Sequence, residues 1–494
     1  MSTTVQRIAV VGSGSVAWLA AAALKLAFRH RNLDVAVLDG GDVSDEPLAR
    51  WTLPSLRSMY ALLGIRESTL VRETSGTFKL ASEHLHWQGD GSRFMHAHGE
   101  LGTTVNRIPF YKYLLLRTIA GHAESPDVYS LAATAAQMGR FARPMESKTA
   151  LTSSFTYAFH LDEAPHREFL RKHAESLGVR RVTGTLTGVS RLENGNVGSL
   201  LVGDEPAVMA DYFLDCSGHQ ALLMNQLSPG EYQDWSQWLP ADRMLAVRAS
   251  ALPAAPAVTQ TAATTAGWFW RIPLQQSSVA GYVYSSKILT DDDAQQQLHR
   301  FAGASADSVV QSISAGRRRS FWKANCIAIG SAAACLEPLA GADFHLAQLG
   351  IATLIELFPL NAHSTLEAVE YNRALSASAD SLRDFTIAHY RAGRVRDGEF
   401  WTLACSQPDP DSLREKLDLF RANGRINLQD NEIFEEADWA WLLLGSGCLP
   451  SSLELQTLEN LGNAGPEQFA PLRTAIQSLV GSMPRHMEYF QRRA

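Results

Sequence analysis

Two groups of residues in this 494-residue chain have types and spacing suited to chemistry. The first is a glycine turn, Gly12, Ser13, Gly14, Ser15, Val16 and Ala17, set between a β-rich run over residues 7–11 and a helix-forming run over 18–28. Glycine belongs at such a turn because backbone must approach a pyrophosphate closely, and the following helix start offers unpaired N–H groups to it. A second β-rich run, 34–38, ends at Asp39, where an acid would accept a ribose hydroxyl. Strand, turn, helix, strand and acid in that order predict a dinucleotide site, with an ordinary βα turn as the bland alternative. The second group centres on Lys79, flanked by Phe78 and Leu80. A lysine in an apolar segment is desolvated, which suits it to directed proton donation or amine nucleophilicity.

These residues need elements to hold them. Residues 178–182, 210–218 and 325–331 read as strands returning to the nucleotide domain, and 267–274 and 279–284 as part of a separate β-rich stretch. The Ala/Thr/Pro-rich stretch 249–266 reads as a loop. Beyond residue 349 the chain turns helical, with helices expected over 351–358, 366–391 and 412–423. The expected fold class is α/β: a Rossmann-like, doubly wound FAD-binding domain with an inserted β-sheet and a helical C-terminal region. Domain limits are set at 1–350, with the insertion over about 80–320, and 351–494.

Composition narrows the function classes. With 46% hydrophobic residues the chain can fill a large core, and 44 Lys+Arg against 51 Asp+Glu leave a net charge of −7. No nucleic-acid or membrane partner is expected. The apolar run 18–28 is far short of the ~20 residues of a membrane span. The first residues enter a strand without the zones of a signal peptide, so a cytoplasmic location is expected. Five scattered cysteines without ligand spacing predict neither disulfides nor a metal site.

GSGSVAW at 12–18, GTFKL at 76–80, FLDCSG at 213–218, GWFWRIP at 267–273, GRRRSFW at 316–322 and LEPLAG at 336–341 resemble, in order and spacing, the flavin-dependent tryptophan halogenase family over nearly the whole chain. The WxWxIP element, here Trp268, Trp270, Ile272 and Pro273, is the most specific. The resemblance implies FAD taken up as FADH2 from a separate flavin reductase, with O2 and halide as co-substrates. Hypohalous acid then travels through a tunnel to a lysine, here Lys79, that serves an aromatic substrate. It also implies flavin contacts from the turn, Asp39, Arg50, Trp51, Ser331, Asp343 and Phe344, and a substrate pocket with His96 and His98 sandwiching the aromatic ring beside Trp268 and Trp270. A homodimer is left open.

The departures are concentrated. Where the family reads EPLEST and then glycine, this chain places Ala340, Gly341, Ala342 and Asp343 at the glutamate, serine, threonine and glycine positions. Losing the glutamate removes a polarising carboxylate. Asp343, at an expected helix start, would accept the N–H groups itself as an N-cap does. Pointing inward, ~4 Å from a halide, it would cost the anion roughly 4 kcal/mol at an effective dielectric of ~20, about a thousandfold in affinity. Glu337 or His345 is the candidate replacement acid. Arg50 replaces an acidic residue of the family's flavin loop, placing a cation beside the flavin ring or facing solvent. The apolar segment 439–445 lacks paired tyrosines for a zwitterion, which argues against free tryptophan and for a bulkier or less charged aromatic. The alternatives are a flavin monooxygenase or other oxidoreductase without halide use, and a degenerate flavin-binding protein.

Overall fold

The computed structural model describes residues 5–44, 46–144, 151–306, 308–341, 343–359, 365–393, 396–461 and 465–491. Its first strand, β1 (Arg7–Val11), is buried along four of five residues, and the turn leads into helix α1 (Ser15–Ala27). Alanine-rich and apolar all round, α1 buries an unbroken run from Ala17 to Leu24, which lets it pack against β2 (Asp34–Asp39) and the helices Glu163–Ser176 and Asp343–Glu356. β1 pairs in parallel with β2 and with Tyr212–Asp215, in a six-stranded sheet ordered Trp322–Lys323, Cys326–Ala328, Tyr212–Asp215, β1, β2, Arg180–Thr183. Its central strands, buried on both faces, are near-continuous apolar runs, whereas the edge strand Arg180–Thr183 is largely exposed.

Two compact units emerge, each discontinuous in sequence. The first comprises the described parts of 1–76, 161–236 and 311–380; the second those of 77–160, 237–310 and 381–494. The division therefore does not fall at residue 350: the chain crosses between units five times, the last crossing lying inside helix Leu366–Arg391. Interleaving of sheet-forming segments, expected from the sequence, goes further than a single insertion.

The second unit is built on a mostly antiparallel seven-stranded sheet, six of whose strands run in the order Arg243–Ser250, Ser277–Tyr284, Gly267–Pro273, Val258–Ala263, Ala81–Leu85, Arg93–Ala97, with Val309–Ser312 beyond Arg243–Ser250. Stretch 249–266, expected as a loop, contains the strand Val258–Ala263, and the end of Arg243–Ser250 extends into it. Its small residues are what the sheet requires: Thr261 lies opposite Trp270, Ala262 opposite Phe269 and Ala263 opposite Trp268, so low bulk on one strand accommodates large rings on the next. On the other side Gly281 faces Trp270, and a Cβ there would lie 2.2 Å from the indole. The expected C-terminal helices are present as Asp343–Glu356, Leu366–Arg391 and Asp411–Asn423. Among the described residues no helix is long and apolar enough to cross a membrane.

Candidate active site

In the first unit the glycine turn has the geometry its sequence implies. Gly12 takes φ +145°, and a Cβ on it would meet the Cys216 carbonyl oxygen at 2.3 Å, so only glycine fits. Gly14 is the N-cap of α1 and supplies no side-chain cap. Ser13, Ser15, Val16 and Ala17 complete the turn, Ser13 Oγ accepting the Gly41 N–H at 2.9 Å. These features fit a dinucleotide's phosphates. Asp39 ends β2 with its carboxylate accepting from the Gly41 N–H (3.0 Å) and from Arg181 (2.7 Å). Ser331, on the short helix Gly330–Ala332, is exposed.

Beside the turn lies a buried ionic cluster that no local motif announces. Arg50 donates to Glu163 at 2.9 and 3.1 Å and to Asp343 at 2.9 Å, and its guanidinium lies 4.7 Å from the Phe344 ring centre. Solvent, one of the two surroundings expected for Arg50, is excluded: its side chain is 8% exposed. Burial alone would lower the Arg50 pKa, but Glu163 and then Asp343 hold it above its ordinary value. Burial would likewise raise Glu163, yet Arg50 and His166 outweigh it and keep the carboxyl ionised. His166 Nδ1 is 3.3 Å from Glu163 and its Nε2 is 2.5 Å from the Tyr60 hydroxyl.

Among the described residues, the Asp343 carboxylate accepts no N–H of its own helix, where the sequence leads to a cap. Asp343 is the first residue of Asp343–Glu356, and its carboxylate turns to Arg50, whose fixed charge outcompetes backbone N–H groups. Gly341, at φ +64°, leaves room for Trp51, whose indole a Cβ would approach to 2.2 Å. Ala342 lies outside the described residues. Of the two candidate replacement acids, Glu337 is buried and His345 Nδ1 is 2.8 Å from Ser55 Oγ.

A further acid has no counterpart in the sequence reading. Glu46 Oε1 accepts the Ser15 N–H at 2.6 Å, and Oε2 accepts from Arg167 at 2.7 Å. Burial, then the charge of Glu163, raises its pKa.

In the second unit Lys79 ends the strand Thr77–Lys79, paired antiparallel with Ala158–Asp162 in the register Thr77 to His160 and Lys79 to Ala158. It is 1% exposed. Among the described residues its ammonium has no hydrogen-bond or ion-pair partner. Burial lowers its pKa to about 7, Asp438 acting in the opposite direction. Its neighbours His98 and His160 are held well below their ordinary range by burial and then by the Lys79 charge. The strand is anchored from the far end of the chain: His486 Nε2 accepts the Phe78 N–H at 3.3 Å, and Phe78 stacks on Phe141 with ring centres 4.2 Å apart.

A pair of histidines so close together reads from sequence as a solvent-exposed loop as readily as a ring sandwich. His96 lies in the strand Arg93–Ala97 and His98 just beyond it, both buried, because Phe94, Met95 and Ala97 give the segment apolar bulk on both faces. His96 Nε2 is 2.8 Å from Asp438 Oδ1, and the two imidazole centres are 6.3 Å apart. Asp438 also closes the capping box of helix Glu436–Gly445, so its carboxylate is held from two sides. Trp268 and Trp270 lie packed inside the sheet; Trp268 donates to the Tyr390 hydroxyl at 3.1 Å. The stripe 439–445 is part of the helix Glu436–Gly445, with Trp439 and Trp441 in the core.

Comparison with known proteins agrees over nearly the full length. A family model described as Tryptophan halogenase matches residues 7–459. The structure of Xcc4156, a flavin-dependent halogenase from Xanthomonas campestris, superposes with a TM-score of 0.93 at 32% identity, covering 100% of this chain and 99% of that one. BrvH, a flavin-dependent halogenase from Brevundimonas sp. BAL3, gives 0.93 at 32% identity, covering 99% of each. Tryptophan 7-halogenase RebH of Lentzea aerocolonigenes is 27% identical over 531 residues, 99% of each chain.

Proposed function

The chain belongs to the tryptophan halogenase family, and from that premise we propose that it is a two-component, FADH2-dependent halogenase acting through Lys79 on an indole-like aromatic substrate. Reduced FAD, delivered by a separate flavin reductase, would activate O2, the oxidant, so that one oxygen atom ends in hypohalous acid formed from halide and the other in water, the flavin leaving oxidised. Gly12, Ser13, Gly14, Ser15, Val16 and Ala17 would hold the diphosphate and Asp39 a ribose hydroxyl, with Arg50, Trp51, Ser331, Asp343 and Phe344 lining the flavin. His96, His98, Trp268 and Trp270 would shape the substrate pocket. A cytoplasmic location is part of this reading.

Lys79 carries it. A lysine with its pKa near 7 exchanges between ammonium and free amine at neutral pH, so Nζ can give up or accept a proton, or present a lone pair, in a dry pocket. Nearby imidazoles are held neutral and compete little for that proton. The segment 439–445 offers no tyrosine pair for the zwitterion of free tryptophan, which supports an uncharged aromatic.

The test is a coupled assay with flavin reductase, NADH, FAD, bromide and indole, read by mass spectrometry. Expected is monobrominated indole that requires bromide and is absent with Lys79→Ala, with free tryptophan a poorer substrate. Consumption of NADH to hydrogen peroxide alone, across indole, tryptophan and larger indoles, would overturn the reading.

A further inference from the structure

The second glycine of a dinucleotide turn exists to leave open the space through which backbone meets pyrophosphate. In this chain that space is filled from within. A Cβ on Gly14 would lie 2.6 Å from Glu46 Oε1, and the same oxygen accepts the Ser15 N–H at 2.6 Å, the first orphan donor of α1. The carboxylate is not a stray surface group. Arg167 donates to its other oxygen at 2.7 Å, and Gln311 donates to its backbone carbonyl at 2.9 Å, fixing the loop from which it projects. Its side chain is 13% exposed. An anion, on the N-terminus of a 13-residue helix, with a guanidinium on its far side, is the arrangement a phosphate would adopt there.

We infer that Glu46 occupies the diphosphate position of the glycine turn, so that flavin binds by displacing its carboxylate and taking over both the Ser15 N–H and Arg167. The inference rests on the flavin reading above and adds to it a residue that sets flavin affinity. Two anions cannot share these donors: at ~4 Å and an effective dielectric of ~20 their repulsion is about thousandfold in affinity, so one must leave. Glu46 thereby lowers affinity for the bound cofactor and makes the flavin an exchangeable reactant, as suits an enzyme supplied with reduced flavin by another protein. Arg167 acts in the opposite sense, since once Glu46 leaves, its guanidinium faces the phosphate.

The experiment titrates the full-length chain with FAD, by flavin fluorescence, and separately with ADP, by calorimetry, because ADP carries the diphosphate without the flavin ring. Wild type, Glu46→Ala, the near-isosteric Glu46→Gln and Arg167→Ala are compared, with circular dichroism confirming that each is folded. Both Glu46 variants should tighten FAD and ADP by about tenfold or more, and Arg167→Ala should weaken both by a similar factor. Wild type that binds FAD with a Kd unchanged within twofold in both Glu46 variants overturns this inference and leaves the flavin reading standing. If FAD and ADP fail to bind any folded variant at millimolar concentration, the flavin reading itself falls, and this inference with it. Tightening of FAD alone, with ADP unaffected, also overturns it, because the effect would then act at the ring and not at the diphosphate.

Discussion

A lysine whose pKa falls from 10.5 to about 7 on folding makes stability depend on pH in a direction opposite to the usual ion-paired lysine. Above pH 10.5 the amine is neutral in both states and burial carries no charge penalty. Between 10.5 and about 7 the unfolded chain binds the proton and the folded one does not, so the penalty grows as pH falls; below about 7 it is complete. Lys79→Met should therefore raise Tm, most at pH 6 and least above pH 10, measured by thermal denaturation across that range. The same substitution should cut halogenation at least about hundredfold in kcat, the lower end of what a positioned proton-transfer group contributes. Because Asp438 raises the Lys79 pKa, Asp438→Asn should lower it further, moving the acid limb of the pH–rate profile to lower pH. An unmoved limb would show that the Asp438 charge is not felt at Nζ.

Elements decide whether such residues stay in place. The short strand Ala49–Trp51 supplies Arg50, and the start of helix Asp343–Glu356 supplies both Asp343 and Phe344, so one guanidinium ties two elements to Glu163 at the head of a third. Arg50→Ala leaves Glu163 buried without its cation and should cost about 3–5 kcal/mol in chemical denaturation. Restoring a neutral pair with Arg50→Met and Glu163→Gln should recover much of that loss; no recovery would mean the cluster acts through packing. In the second unit Gly281→Ala should destabilise by about 1–3 kcal/mol, since the new methyl meets the Trp270 ring and the sheet offers no room for it.

At the scale of the whole molecule, each unit is assembled from three separate chain segments. A fragment ending at residue 350 would keep the strands of the second unit yet lose the residues that cover them, among them Tyr390, which takes the Trp268 N–H, and Trp401, whose ring centre is 5.5 Å from Trp87. Fragment 1–350 should accordingly be aggregated or molten, with poor NMR dispersion and binding of a hydrophobic dye, where the full chain shows a cooperative transition. A well-dispersed spectrum from the fragment would refute this. The C-terminus has a share in the same interior: His486 reaches across 408 residues of sequence to the backbone beside Lys79.

By itself, the sequence determined the βαβ start, the glycine turn and the helices at 366–391 and 412–423, because hydrophobic period and glycine or capping chemistry act within a dozen residues. It also placed Lys79 in an apolar setting, for flanking Phe78 and Leu80 are local. The strand at 258–263 escaped because its Thr and Ala residues are chosen for the rings they face on another strand. His96 and His98 look like loop residues until the strand Arg93–Ala97 and Asp438, some 340 residues away, close around them. Only tertiary structure decided that Asp343 turns to Arg50, that Glu163 and His166 complete a buried cluster, and that Glu46 lies on the phosphate-binding end of α1. Those choices depend on which charges meet in a low-dielectric interior, where electrostatic partners are set by the fold and not by neighbours in the chain.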